Sequence, residues 1–218
     1  MVGTPVQDKP ETQTQKEIGI TAIGQLADIC FFTGKMRQGK SYLARHLLVG
    51  VSRYIVWDYN FEHTQKMGMV THDLKQLATM WNKLSKRIIY QPYDRSEEHF
   101  DRFIKTVSRM QNLVILIEEV RRYATAKKIS KPLQFLIDTG RHRGIGLWFT
   151  SRRMHGIAVD IPFNATHIFA FKQHRPEDLA YLSQFMAPEL VEKLPTLPNY
   201  YFLHYVSDTG ETLIHEPI

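Results

Sequence analysis

The octet Gly34-Lys35-Met36-Arg37-Gln38-Gly39-Lys40-Ser41 constrains this chain more than any other feature, because it joins an apolar run at 29–33 to an amphipathic stretch at 40–49. A Gly-x-x-x-x-Gly-Lys-Ser pattern that leaves a strand and opens a helix is a phosphate cradle. Its glycines let the backbone curl until the N–H groups point inward, and the start of the helix adds positive potential. Gly34, Lys35, Met36, Arg37, Gln38, Gly39, Lys40, Ser41 and Tyr42 are therefore the predicted phosphate-binding residues. Lys40 is expected to reach the β- and γ-phosphates of ATP, and Ser41 to ligate Mg²⁺.

The rest of the chain supplies the frame such a loop needs. Its 218 residues suffice for one α/β domain with small appendages, but not for two domains of ordinary size. Short apolar runs at 29–33, 54–57, 87–90, 113–117, 146–150 and 167–171 read as strands. Between them, apolar residues recur at three- and four-residue spacing over 40–49, 73–86, 97–110, 131–141 and 176–185, which predicts helices. Asp73 and Ser96 offer polar helix starts, and Gly144 an exit. This alternation predicts an α/β fold, a mainly parallel central sheet flanked by helices. Asp208-Thr209-Gly210, between runs at 200–206 and 211–215, predicts a C-terminal β-hairpin serving as an edge or a lid. Residues 1–16 are polar and read as an arm, leaving 17–218 as the single domain.

Charge and cysteine usage narrow the setting. A net charge of +6 favours contact with a polyanion. Cys30 is the sole cysteine and lies in an apolar run, which implies a buried thiol and a reducing compartment. The longest aliphatic run, Leu113–Ile117, is far too short for a transmembrane segment, and a soluble protein is expected.

That run ends in Glu118-Glu119. In a buried parallel sheet the strand must be apolar throughout, and its C-terminal tip faces the ligand crevice. The first acid then suits Mg²⁺ and the second suits the attacking water, so Glu118 is the predicted metal ligand with Ser41, and Glu119 the predicted base.

Further along, Arg141-His142-Arg143-Gly144-Ile145-Gly146 leads into Leu147-Trp148-Phe149-Thr150, then Ser151-Arg152-Arg153, and later Asn164 through Phe171. In this order of motifs the chain resembles the FtsK–HerA family of DNA-pumping ATPases, over about two-thirds of its length. Among its branches the chain is most similar to genome-packaging ATPases of membrane-containing icosahedral viruses, the turreted archaeal virus type. The segment from Leu194 to Leu203 and the ending at Ile218 carry that part of the likeness. The resemblance implies a RecA-like P-loop fold and a homo-oligomeric ring, pentamer or hexamer. It implies ATP-driven movement of double-stranded DNA into a viral capsid, with capsid or portal-vertex proteins as partners, in the host cytoplasm or at the packaging vertex of the virion. Two positions depart from the family pattern. Glu118-Glu119 stands where Asp-Glu is usual, and Ser151-Arg152-Arg153 where Thr-Gln-Arg is common. The sensor role then falls to Arg152, Thr150 or Ser151. Arg141 and Arg143 resemble arginines placed at subunit boundaries, the alternative being favourable charge at a helix C-terminus.

Basic residues at Arg121, Arg122, Lys127, Lys128 and Lys131, and at Arg152, Arg153 and His155, are the candidate DNA contacts, suited to phosphates rather than bases. Glu62 with His63, or His142 with His155, lacks the spacing of a closed metal site and reads as surface or core. Trp57, Tyr59 and Phe61 read as packing, with adenine as a possible neighbour. The competing classes are an ATPase of phage assembly or conjugation, a small-molecule or nucleoside kinase, and a nucleotide switch that turns over little.

Overall fold

The computed structural model describes residues 27–83 and 86–218. The expected arm at 1–16, the domain start at 17 and part of the helix expected over 73–86 lie outside them. In chain order the first half comprises β1 (Ile29–Thr33), α1 (Lys40–Val49), β2 (Tyr54–Trp57), β3 (Met69–Thr71), α2 (Leu74–Lys83), β4 (Arg87–Tyr90), α3 (Glu97–Val107) and β5 (Leu113–Ile117). The second half comprises β6 (Ala124–Thr125), β7 (Lys128–Ile129), α4 (Lys131–Thr139), β8 (Ile145–Ser151), α5 (Asp160–Phe163), β9 (His167–Phe171), α6 (Pro176–Leu182), α7 (Pro188–Val191), β10 (Phe202–Val206) and β11 (Glu211–His215).

Among the described residues, nine strands make one sheet in the order β11-β10-β9-β1-β8-β5-β2-β4-β3. Its body is parallel, and β10 and β11 add antiparallel at one edge. The expected hairpin is thus an edge. Residues alternate between the two faces of each strand. Phe31, Ile115, Ile117, Leu147 and Phe149 pack on one face with α2, α3 and α4. Cys30, Phe32, Val114, Leu116 and Trp148 pack on the other beneath Leu43, Ala44, Leu47 and Leu48 of α1. Phe31 and Phe32 are fully buried, which contributes on the order of 2–3 kcal/mol each.

The interior strand β1 lies between β8 and β9, with β5 on the far side of β8. Because all four run parallel, the loop after β1 and the acids after β5 emerge at the same edge of the sheet. The helices that frame this edge begin differently. Ser96 accepts the His99 N–H at 3.2 Å to cap α3, and Ser130 accepts the Leu133 N–H at 3.3 Å to cap α4. Gly39, which precedes α1, has no side chain to do so, and the first turn of α1 carries no acid. The orphan N–H groups of α1 therefore remain directed at the crevice.

The structure also departs from the expected elements. Helices α3, α4 and α6 end at Val107, Thr139 and Leu182, earlier than their apolar spacing suggests, and a 3₁₀ turn at Gly140–Arg143 follows α4. The strand expected over 146–150 extends one residue at each end. Sequence periodicity does not reveal β3, a three-residue edge strand, or the short β6–β7 hairpin.

Candidate nucleotide site

The loop after β1 holds its shape through backbone conformations that glycine tolerates. Gly34 has φ 136° and Gly39 φ 102°, and an added Cβ on Gly34 would stand 2.7 Å from the Cβ of Phe171. Side chains are excluded there because β9 passes directly behind the loop, and Lys35 N–H donates to the Lys172 carbonyl at 3.0 Å. Lys40 lies across the cradle with its Nζ donating to the Lys35 carbonyl at 2.8 Å. Burial lowers its ammonium to about 8, with the nearby Glu119 carboxylate pulling the other way.

A cavity of about 600 Å³ opens over this loop. Met36, Arg37, Gly39, Lys40, Ser41 and Tyr42 line it from the loop side, and Glu118, Glu119, Thr150 and Arg152 from the ends of β5 and β8. Of the residues expected to hold phosphate, Gly34, Lys35 and Gln38 form the loop without lining the cavity. Thr150 accepts the Glu119 N–H at 3.2 Å, and Arg152 Nε donates to Glu119 Oε1 at 3.0 Å. Glu119 itself has φ 52°, a left-handed conformation that turns the chain sharply out of β5. Ser151 instead binds the Arg153 carbonyl through its hydroxyl at 2.7 Å and does not line the cavity, which leaves Thr150 and Arg152 as the sensor candidates.

Glu118 is buried, and burial pushes its carboxyl up. His63 Nε2 lies 3.0 Å from Glu118 Oε1 without the alignment of a hydrogen bond, and among the described residues both Glu118 oxygens are otherwise unpartnered. A buried carboxyl in the wall of a cavity that Ser41 also lines fits a hard divalent cation such as Mg²⁺. Asp58, His63 and Glu118 bring one ligand atom each within 4.8 Å of one another. The Asp58 oxygens are already engaged, accepting the N–H groups of Glu62 at 2.9 Å and His63 at 3.0 Å and the Gln91 amide at 2.8 Å.

That network was invisible in the linear spacing, although strand register contains its signal. Trp57 pairs with Ile117, so the residues after β2 stand beside the acids after β5. Asn60, Glu62, Arg45 and Tyr200 join the cavity wall as well, none of them anticipated. The three aromatics around Asp58 pack against other side chains. Trp57 is fully buried among Tyr90, Phe100, Phe103 and Tyr123, Tyr59 stacks under Arg95 and Arg122, and Phe61 meets His72 and Tyr93, so none lines the cavity.

Arg141 and Arg143 lie before the start of β8, at the opposite end of the sheet, where Arg143 donates to the Ser108 carbonyl. Within one chain they are remote from the cavity. Among the candidate DNA contacts, Arg121, Arg122, Lys127 and Lys128 are exposed around the β6–β7 hairpin, at the same sheet edge as the cavity. Lys128 pairs with Glu97, and Arg122 lies 4.4 Å over the Tyr59 ring. Arg153 differs from them. Its Nε donates to the buried Asp178 at 2.9 Å, which anchors the loop after β8 to α6.

A mainly parallel sheet with this loop at the end of an interior strand defines a P-loop NTPase fold. Among solved structures, the chain is similar to the genome packaging NTPase B204 from Sulfolobus turreted icosahedral virus 2 in complex with AMPPCP, with a TM-score of 0.76 and 22% identity, over 88% of this chain and 98% of that one. It is similar to B204, the DNA-packaging ATPase from Sulfolobus turreted icosahedral virus, with a TM-score of 0.71 and 26% identity over 88% and 98% of the two chains. VirB4 of Thermoanaerobacter pseudethanolicus is a more distant likeness, with a TM-score of 0.64 and 11% identity over 87% of this chain and 89% of that one. These neighbours are FtsK–HerA-type ATPases, in agreement with the resemblance drawn from the motifs. No protein-family model matches the chain, and no curated protein matches it by sequence. Among the described residues no helix is long and apolar enough to cross a membrane.

Proposed function

We propose that this protein hydrolyses ATP to drive double-stranded DNA into a viral capsid, acting as a homo-oligomeric ring at the packaging vertex. The observation that carries the reading is the convergence of Lys40, Ser41, Glu118 and Glu119 on one cavity. The backbone of the loop and the Lys40 ammonium hold the phosphates in place. Mg²⁺ would be held by Ser41 and Glu118, and supplies neutralisation of the charge that builds on the phosphate oxygens. Glu119 orients and polarises the attacking water. Arg152, paired with Glu119 at 3.0 Å, would also feel a γ-phosphate, which would link the state of the base to the presence of ATP. Arg141 and Arg143 would act across a subunit boundary, since in their own chain they are remote from the phosphates. The likeness to two B204 packaging ATPases supports DNA as the cargo and a capsid or portal protein as the docking partner. The exposed cations around the β6–β7 hairpin would meet the DNA backbone without reading sequence.

Steady-state hydrolysis with and without linear duplex DNA tests the reading. Stimulation by DNA of any sequence, weakening as salt rises, is expected. Glu119→Gln should keep ATP affinity within about twofold while lowering turnover by about 10²-fold or more, the typical contribution of a positioned base. Undiminished turnover removes Glu119 from that role, and ADP production that depends on a small acceptor molecule would identify a kinase instead.

A further inference from the structure

The chain leaving β2 is folded so that one buried imidazole comes to rest against the Glu118 carboxyl. Glu118 N–H donates to the Trp57 carbonyl at 3.2 Å, which keeps the exit of β2 against the exit of β5. Asp58 then turns the chain back on itself, its two oxygens accepting the N–H groups of Glu62 at 2.9 Å and His63 at 3.0 Å. Phe61 takes a left-handed φ of 61° within that turn. Gln91, which follows β4, braces it, its side-chain amide donating to Asp58 at 2.8 Å and to the His63 carbonyl at 3.1 Å. The His63 ring has no exposed surface, and its Nε2 stands 3.0 Å from Glu118 Oε1.

We propose that His63 Nε2 and Glu118 bind one divalent cation together, and that this nitrogen donor turns the preference of the site from Mg²⁺ towards transition metals such as Co²⁺ and Mn²⁺. The proposal rests on reading Glu118 as a metal acid and goes beyond it in the ligand set and the class of metal.

Three observations converge on it. Among the described residues, both ring nitrogens of His63 and both oxygens of Glu118 are buried without a hydrogen-bond partner. Buried polar groups are almost always paired, so four adjacent orphan atoms mark a place built for a bound group. Because no partner holds a proton on Nε2, the lone pair there is available to a metal. The spacing also suits coordination, since two ligands at right angles, each about 2.1 Å from a cation, stand about 3.0 Å apart. Finally, Asp58 brings a ligand atom within 4.8 Å of both groups, and by holding the His63 N–H it acts as the positioning residue of the imidazole. Oxygen donors alone suit Mg²⁺, whereas an imidazole favours first-row transition metals.

Calorimetric titration of the full chain with Mg²⁺, Mn²⁺ and Co²⁺ in the absence of nucleotide, together with pulsed EPR of the Mn²⁺ complex, tests the proposal. Wild type should bind Mn²⁺ and Co²⁺ at least about tenfold more tightly than Mg²⁺. The Mn²⁺ spectrum should show coupling to an imidazole nitrogen. His63→Gln, which offers an amide oxygen in place of the ring nitrogen, should lose about 10–100-fold in Co²⁺ affinity, keep Mg²⁺ within about threefold and lack that coupling. The coupling is read on wild type, so a variant that fails to fold leaves the test intact. Equal affinity for the three cations, no binding of any, or Mn²⁺ bound without nitrogen coupling overturns the proposal. So does coupling that persists in His63→Gln, because it then belongs to another of the ten histidines. Binding of ATP with Mg²⁺, and its loss in Lys40→Ala, tests the phosphate site separately. If ATP binds in that way while the Mn²⁺ complex shows no nitrogen coupling, His63 fails as a ligand and the nucleotide reading stands. Nitrogen-coupled Mn²⁺ on a chain that binds no ATP upholds the ligand and overturns the nucleotide reading.

Discussion

Lys40 carries a charge that its surroundings oppose. It is buried, its ammonium is lowered to about 8, and it donates a hydrogen bond to a backbone carbonyl of its own loop. Only the protonated form attracts a triphosphate, so affinity for ATP should be level below pH 8 and fall by up to about tenfold per pH unit above it as the lysine discharges. Bound phosphate favours the charged form, and complex formation near pH 8.5 should therefore take up a proton, measurable by calorimetry in buffers of different ionisation enthalpy. Lys40→Arg remains charged throughout this range and should flatten the profile even where the bulkier fork lowers affinity. A wild-type profile as flat as that of the arginine variant would show that the lysine charge does not govern binding. Glu119 illustrates the other side of residue-scale legibility. Its identity and place after an apolar strand were readable, but its left-handed backbone and its pairing with Arg152 arise from tertiary packing of β5 against β8.

Among the elements, the loop after β8 depends on α6 in a way that changes the reading of Arg153. Asp178 is 1% exposed and accepts both Arg153 Nε at 2.9 Å and the His155 N–H at 3.0 Å. The Arg153 side chain is only a quarter exposed, at 24%, so this pair is better sheltered than a surface salt bridge. Asp178→Ala leaves that N–H without its acceptor and leaves the cation only the longer contact of Nη2 with the exposed Glu177 at 3.7 Å. It should cost about 2–3 kcal/mol, or roughly 5–10 °C in melting temperature for a chain of this size. Because Arg152 adjoins this anchor, turnover should fall as well. A shift under about 2 °C in calorimetry would mean that α6 does not hold the loop. The elements themselves were legible where a single period dominates. Lys40–Val49 and Leu113–Ile117 coincide with their sequence expectations because one face or all faces are apolar. Helix ends were not, since apolar residues at Met110 and Phe185 prolong the spacing into segments where the backbone has tightened from helical bonds to i→i−3 turns. β3 escaped notice because an edge strand of three residues is too short to show alternation.

At the scale of the molecule, the loop and the acidic strand were visible as motifs, whereas Asn60, Glu62, His63 and Tyr200 reach the site by topology that no local pattern reports. Topology also creates a cost at the antiparallel edge, where three histidines from β9, β10 and β11 are buried together. His167 Nδ1 lies 3.1 Å from His204 Nε2, and His204 stacks on Phe169 at 4.4 Å between centroids. Burial lowers all three, and His204, flanked by the other two, falls to about 3. An unfolded chain protonates these rings near pH 6.5, while the native sheet keeps them neutral. The depressed native values mean that their contribution is complete above pH 6.5 and is lost as pH falls towards 3. Asp28 and Glu118, both raised by burial, act in the opposite sense and gain protons in the native state as pH falls. Comparison of one variant with wild type separates these contributions. For His204 alone, the loss between pH 7 and pH 5 is about 2 kcal/mol, and His204→Phe should remove that portion of the pH dependence while keeping the stack on Phe169. Urea unfolding of both proteins at the two pH values provides the measurement. Parallel loss of stability in wild type and variant would show that this edge of the sheet does not set the acid limit of the fold.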